Sequence, residues 1–111
     1  MTDRELLELA AKSVDIAILY WTLPNGTFTD EGAYWNPLAD DGDAHRLAVK
    51  LGLYICNEQE RAGCVTVSWG CDAGGNHLGS VEELAPAGGD DYAASRRAIV
   101  RAAAEIGRAM L

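Results

Sequence analysis

No stretch of this sequence approaches the roughly 18 consecutive apolar residues that a membrane-spanning helix requires, so no membrane association is expected. The opening Met1-Thr2-Asp3-Arg4-Glu5 lacks the basic start and apolar stretch of a secretion signal. A cytoplasmic protein is the expectation. Cysteine is scarce: Cys56, Cys64 and Cys71 are an odd set without C-x-x-C spacing, which points to reduced thiols rather than a disulfide framework. Positive charge is also short, with nine Lys and Arg against 17 Asp and Glu and a formal net charge of −8. An average field of that sign repels a phosphate backbone, so direct nucleic-acid binding is not expected. There is no internal repeat and no low-complexity stretch.

What is present reads as one globular domain over residues 1–111. The apolar share is 49%, enough for one core but not two in a chain of this size. Thr2 and Glu5 form a T-x-x-E capping box at the head of a first helix. Leu6, Leu7, Ala10, Ala11 and Val14 follow at helical spacing. Ile16 to Thr22 reads as a central strand, apolar on both faces, and Asn25-Gly26 as its hairpin turn. A second strand is expected to return through Phe28 and end near Tyr34-Trp35, interrupted at Asp30-Glu31-Gly32.

Asp40 or Asp41 can cap a second helix whose buried side is Ala44, Leu47, Ala48 and Leu51, and Gly52 can close it in the left-handed conformation. Strands over Leu53–Asn57 and Cys64–Gly70 follow, with a short strand or turn around Leu78–Leu84. Asp90-Asp91 caps a last helix from Tyr92 to about Met110. The expected fold is α/β (α+β): an antiparallel four-stranded sheet flanked by three helices in the order α-β-β-α-β-β-α. It should be a three-layer α/β/α sandwich, or failing that two layers with one open sheet face. Leu6, Leu7, Ile16, Ile18, Leu47, Leu51, Val65, Val67, Trp69, Ile99 and Ile106 should be largely buried, and the aromatics Tyr20, Trp21, Tyr34, Trp35, Tyr54 and Trp69 should fill the core.

The run Tyr34-Trp35-Asn36-Pro37-Leu38-Ala39-Asp40-Asp41-Gly42-Asp43-Ala44 resembles the central signature of small proteins of tailed bacteriophages and prophages. The closing run from Arg96 to Gly107 resembles the ending of the same group, a phage "ABA sandwich" family related in style to the NinX-type proteins. The specific part of this likeness covers about a third of the chain. The resemblance implies helices on both faces of the sheet, but no established activity and no catalytic residues.

The acids Asp40, Asp41 and Asp43 invite a Mg²⁺ or Ca²⁺ site, yet the glycine comes too early for a calcium loop and the distal glutamate is missing. Helix capping explains them without a metal. Cys56, Cys64, Cys71 and His77 match no zinc spacing, and no motif joins a cysteine to His45 or His77 as its base. Gly70 to Gly79 lacks the G-K-[ST] ending of a phosphate loop and reads as a flexible turn. Arg97, Arg101 and Arg108 form a basic stripe, the one hint of an anion contact, whose ordinary alternative is a solvated helix face.

No catalytic, cofactor or metal residues are therefore expected. Arg97, Arg101, Arg108, Asp40, Asp41 and Asp43 are the candidate interaction surface. The leading expectation is a non-enzymatic phage or prophage accessory protein that meets a host or phage protein in the host cytoplasm, with a homodimer as a further partner. The alternatives are a small-molecule-binding domain or small enzyme using Cys, His and Asp, and a structural homo-oligomer.

Overall fold

The computed structural model describes residues 2–22, 26–29, 34–58, 63–70, 74, 78–84 and 90–110. The chain forms α1 (Asp3–Ser13), β1 (Ile18–Thr22), β2 (Gly26–Thr29), β3 (Tyr34–Trp35), α2 (Asp41–Leu51), β4 (Tyr54–Glu58), β5 (Cys64–Trp69), β6 (Gly79–Leu84) and α3 (Asp91–Ala109). Among the described residues it is an α+β fold with three helices and antiparallel sheet. No described helix is long and apolar enough to cross a membrane.

The head of α1 is the capping box the sequence announces. The Glu5 amide donates to the Thr2 hydroxyl at 3.2 Å, and the Thr2 amide donates to the Glu5 carboxylate at 3.2 Å. The backbone donor first and the hydroxyl second hold the Glu5 carboxyl below the usual glutamate range. A depressed value contributes stability above the ordinary glutamate range, lost as pH falls through the lowered value. Acidification from roughly pH 5 to 3 should therefore fray the first turn of α1. Glu5→Gln keeps an acceptor but cannot titrate, so its Thr2 amide signal should stay flat over that range. Identical acid titrations of that signal in both proteins would contradict the assignment.

Asp15 ends α1 in the left-handed region at φ 58°, which Asp tolerates better than most residues, and turns the chain toward β1. Asp40 caps α2, accepting the Asp43 amide at 2.8 Å, and Gly52 closes it at φ 63°. Asp90 caps α3, accepting the amides of Tyr92 and Ala93. The apolar faces then converge. Leu6, Leu7, Leu47, Val65, Val67 and Ile99 are buried, with Ile16, Ile18, Leu51, Trp69 and Ile106 half-buried. The helices meet on small residues: Ala10 and Ala11 of α1, and Ala98, Ala102, Ala103 and Gly107 of α3, are buried.

The strands correct the expected order. They form two three-stranded meanders, β1-β2-β3 and β4-β5-β6, rather than one four-stranded sheet, so the order is α-β-β-β-α-β-β-β-α. Tyr34-Trp35 does not continue the second strand but returns antiparallel beside it, with Phe28 opposite Tyr34 and Thr27 opposite Trp35. The chain direction is therefore opposite in Gly26–Thr29 and Tyr34–Trp35, and residues 30–33 lie outside the described residues. β1 is consequently an edge strand of its meander rather than a central one. The Pro24-Asn25 turn lies outside the described residues. Leu78–Leu84 gives a full strand, six residues paired along β5. Trp69 lies opposite Gly79, where any Cβ would collide with the indole ring.

The register fixes the two faces of β4-β5-β6. Val65, Val67, Trp69, Val81 and Glu83 share one side with Ile55, and α3 packs against β5 and β6. Ile55 is nevertheless 46% exposed, so β4 reaches past the helical layer. The second face carries Tyr54, Cys56, Glu58, Cys64, Thr66, Ser68, Ser80, Glu82 and Leu84, none of them buried. Among the described residues this sheet is two-layered with one open face. Tyr54, expected in the core, is 53% exposed for that reason.

Candidate functional site

The aspartates of the W-N-P-L-A-D-D-G-D run separate into three roles. Asp40 caps α2. Asp43 is 7% exposed and ties the preceding turn to the helix: its carboxylate accepts the Asn36 amide at 2.9 Å and the Arg46 guanidinium at 2.7 Å. Asn36 folds the turn itself, its side-chain oxygen accepting the Leu38 amide at 3.2 Å. Asp41 reaches across to α3, where it pairs with Arg96 at 2.6 Å. Arg96 also donates to the Leu38 carbonyl at 2.9 Å. Sequence reading did not single out Arg96, because its partner stands 55 residues away and nothing local marks it.

The arginine stripe divides as well. Arg97 pairs with Asp3 of α1 at 2.9 Å and lies 3.8 Å from Glu83 of β6. Arg101 pairs with Glu83 at 2.7 Å and donates to the Glu82 carbonyl. Arg108 stands apart beside Glu105 at 3.8 Å. A cleft of about 400 Å³ lies among Leu6, Val81, Glu83, Arg97, Arg101 and Glu105. Its two cations are thus answered by carboxylates from two other elements, a network that clamps α1 and β6 onto α3. With Arg4 beside Glu8 and Arg46 on Asp43, every described arginine has a carboxylate within 4 Å. The six residues of the expected interaction surface therefore do not form one contact network. Asp40, Asp41 and Asp43 gather at the head of α2, Arg97 and Arg101 at the α1–α3–β6 junction, and Arg108 at the tail of α3.

The thiols come together only in part. Cys56 and Cys64 lie on the open face of adjacent strands, one diagonal step apart. Cys71 and His77 fall outside the described residues, as does most of the glycine-rich turn, and His45 is exposed on α2. Withdrawal from water first, then the carboxylates of Glu82 and Glu58 and the neighbouring Cys56, push the Cys64 thiol up. A raised thiol holds less of the nucleophilic thiolate at neutral pH. Native Cys64 should therefore react with iodoacetamide more slowly than the same cysteine in the urea-unfolded chain, as read by peptide mass mapping. Equal rates would contradict this. Among the described residues no three His, Cys, Asp or Glu side chains converge as a metal site would require.

A second, smaller pocket of about 150 Å³ lies where α1 ends against α2. Val14, Ile16, Trp35, Arg46, Leu47 and Lys50 line it. Comparison with protein-family models, curated proteins and solved structures gives no match.

Proposed function

We propose that this chain is a non-enzymatic phage or prophage accessory protein acting through protein–protein contacts in the host cytoplasm, with the open face of β4-β5-β6 as its contact surface. One observation carries the reading. Tyr54 and Leu84, at 53% and 67% exposure, flank a sheet face that no described element covers. They stand at opposite corners of that face, with Cys56, Thr66 and Glu82 in the row between them. An uncovered face carrying exposed aromatic and aliphatic groups marks an association surface more often than a catalytic one. Glu82 shares that face, and its carboxylate has no ion pair among the described residues.

The charge of the partner follows. The described arginines are matched internally, so the net charge of −8 is presented outward and favours a basic protein. A partner layer on this face would complete the three-layer α/β/α arrangement. The phage assignment rests on the W-N-P-L-A-D-D and Arg96–Gly107 resemblance.

Tagged protein should capture a basic protein in stoichiometric amount from a bacterial host lysate. Glu82→Lys combined with Leu84→Ser, both at exposed positions, should lose that capture while keeping the wild-type melting temperature. Capture unaffected by the double variant would overturn the use of this face.

A second copy is the other reading, favoured by Met110 at 41% exposure and Tyr54 on an edge strand. Light scattering at micromolar concentration and moderate salt decides it: a dimer mass supports it, and a strictly monomeric mass excludes it.

A further inference from the structure

The pocket at the junction of α1 and α2 goes beyond this reading, because it lies among different residues from the open sheet face. Its lining is chemically lopsided. Val14, Trp35 and Leu47 are core residues at 6%, 8% and 3% exposure, and Ile16 is half-buried beside them. Walls of this kind are fixed by the packing behind them. The pocket is half open to solvent, and its volume of about 150 Å³ is that of an apolar cavity that admits a benzene ring, so one ring fits against these walls.

The remaining lining residues among those described, Arg46 and Lys50, are exposed and one helical turn apart on α2. Arg46 is committed, 2.7 Å from Asp43 and 3.8 Å from Asp40. Lys50 has neither ion pair nor hydrogen bond among the described residues. An unanswered ammonium is therefore left beside an apolar pocket, on a protein whose other charges are mostly acidic. A neutral ring would fill the pocket but leave that ammonium unused. A ring bearing a carboxylate would use both.

We propose that the pocket lined by Val14, Ile16, Trp35 and Leu47 binds a small aromatic carboxylate, ring inward, with its carboxylate at Lys50. The binding is non-covalent and involves no reaction.

Benzoate and the neutral benzyl alcohol are the two probes, titrated into the full chain and followed by amide NMR shifts of Val14, Ile16 and Leu47. Benzoate should give saturable shifts at these residues. Lys50→Met, at an exposed position, should weaken benzoate about two- to fivefold, the usual size of an exposed ion pair, and leave benzyl alcohol unchanged. Ile16→Phe should abolish both by filling the space. If Ile16→Phe fails to fold, the Lys50→Met comparison decides alone. No saturable shift at these residues up to millimolar benzoate would overturn the site. Equal benzoate affinity in wild type and Lys50→Met would overturn the assignment of carboxylate ligands. Neither result bears on partner capture by the sheet face, so the two readings fail independently.

Discussion

Gly107→Ala should lower the melting temperature by roughly 5–20 °C, although the same change in an exposed helix would raise it. Alanine is the better helix former by about 1 kcal/mol, so propensity alone predicts a gain. Gly107 is buried where α3 crosses α1, and a Cβ built there lands on the carbonyl oxygen of Leu9, with the carbonyl carbon 2.9 Å away. The obstacle is backbone, which cannot rotate aside as a side chain can. Relief requires α1 to lift off α3, loosening Leu6, Ala10 and Ala103 together. Overpacking of this kind costs about 1–3 kcal/mol, and a domain of this size loses about 4–8 °C per kcal/mol. Gly107→Val should be worse still. Thermal unfolding followed by circular dichroism reads both variants. An unchanged or raised midpoint for Gly107→Ala would show that the helices do not cross here.

The second large effect is expected at Asp43 rather than at the cap beside it. Asp43→Ala removes the acceptor of the buried Asn36 amide and the partner of Arg46 at once. Hydrogen bonds to a charged group are worth about 1.5–3 kcal/mol each, whereas an N-cap replaced by alanine costs about 0.5–2 kcal/mol. Asp43→Ala should therefore exceed Asp40→Ala in urea unfolding, and a cation such as Mg²⁺ should rescue neither. The reverse ranking would contradict the anchoring role, and rescue by Mg²⁺ would restore the metal reading of these acids.

These two sites differ in how far they could be read from sequence. Caps are local: Thr2 with Glu5, Asp40 and Gly52 announce themselves within four residues, and each stands where expected. The stripes of α1 and α3 were legible for the same reason. The division of the strands into two meanders was not. It depends on whether β3 continues β2 or runs back beside it, and the sequence between them permits both. Residue type places Tyr54 in the core, but burial of a strand depends on which neighbour covers it, and β4 lies past the end of the α3 layer. Arg96 and Asp41 are 55 residues apart, and the pocket at Lys50 exists only because the end of α1 meets α2. Contacts of that kind follow from tertiary packing, and no local pattern encodes them.

Contact through the open face of β4-β5-β6 is tested most directly by hydrogen–deuterium exchange of the chain alone and with its captured partner. Protection should appear in the peptides covering 54–58 and 79–84, with α1 and α2 unchanged. Protection confined to the helices, or none on this sheet, would contradict the account.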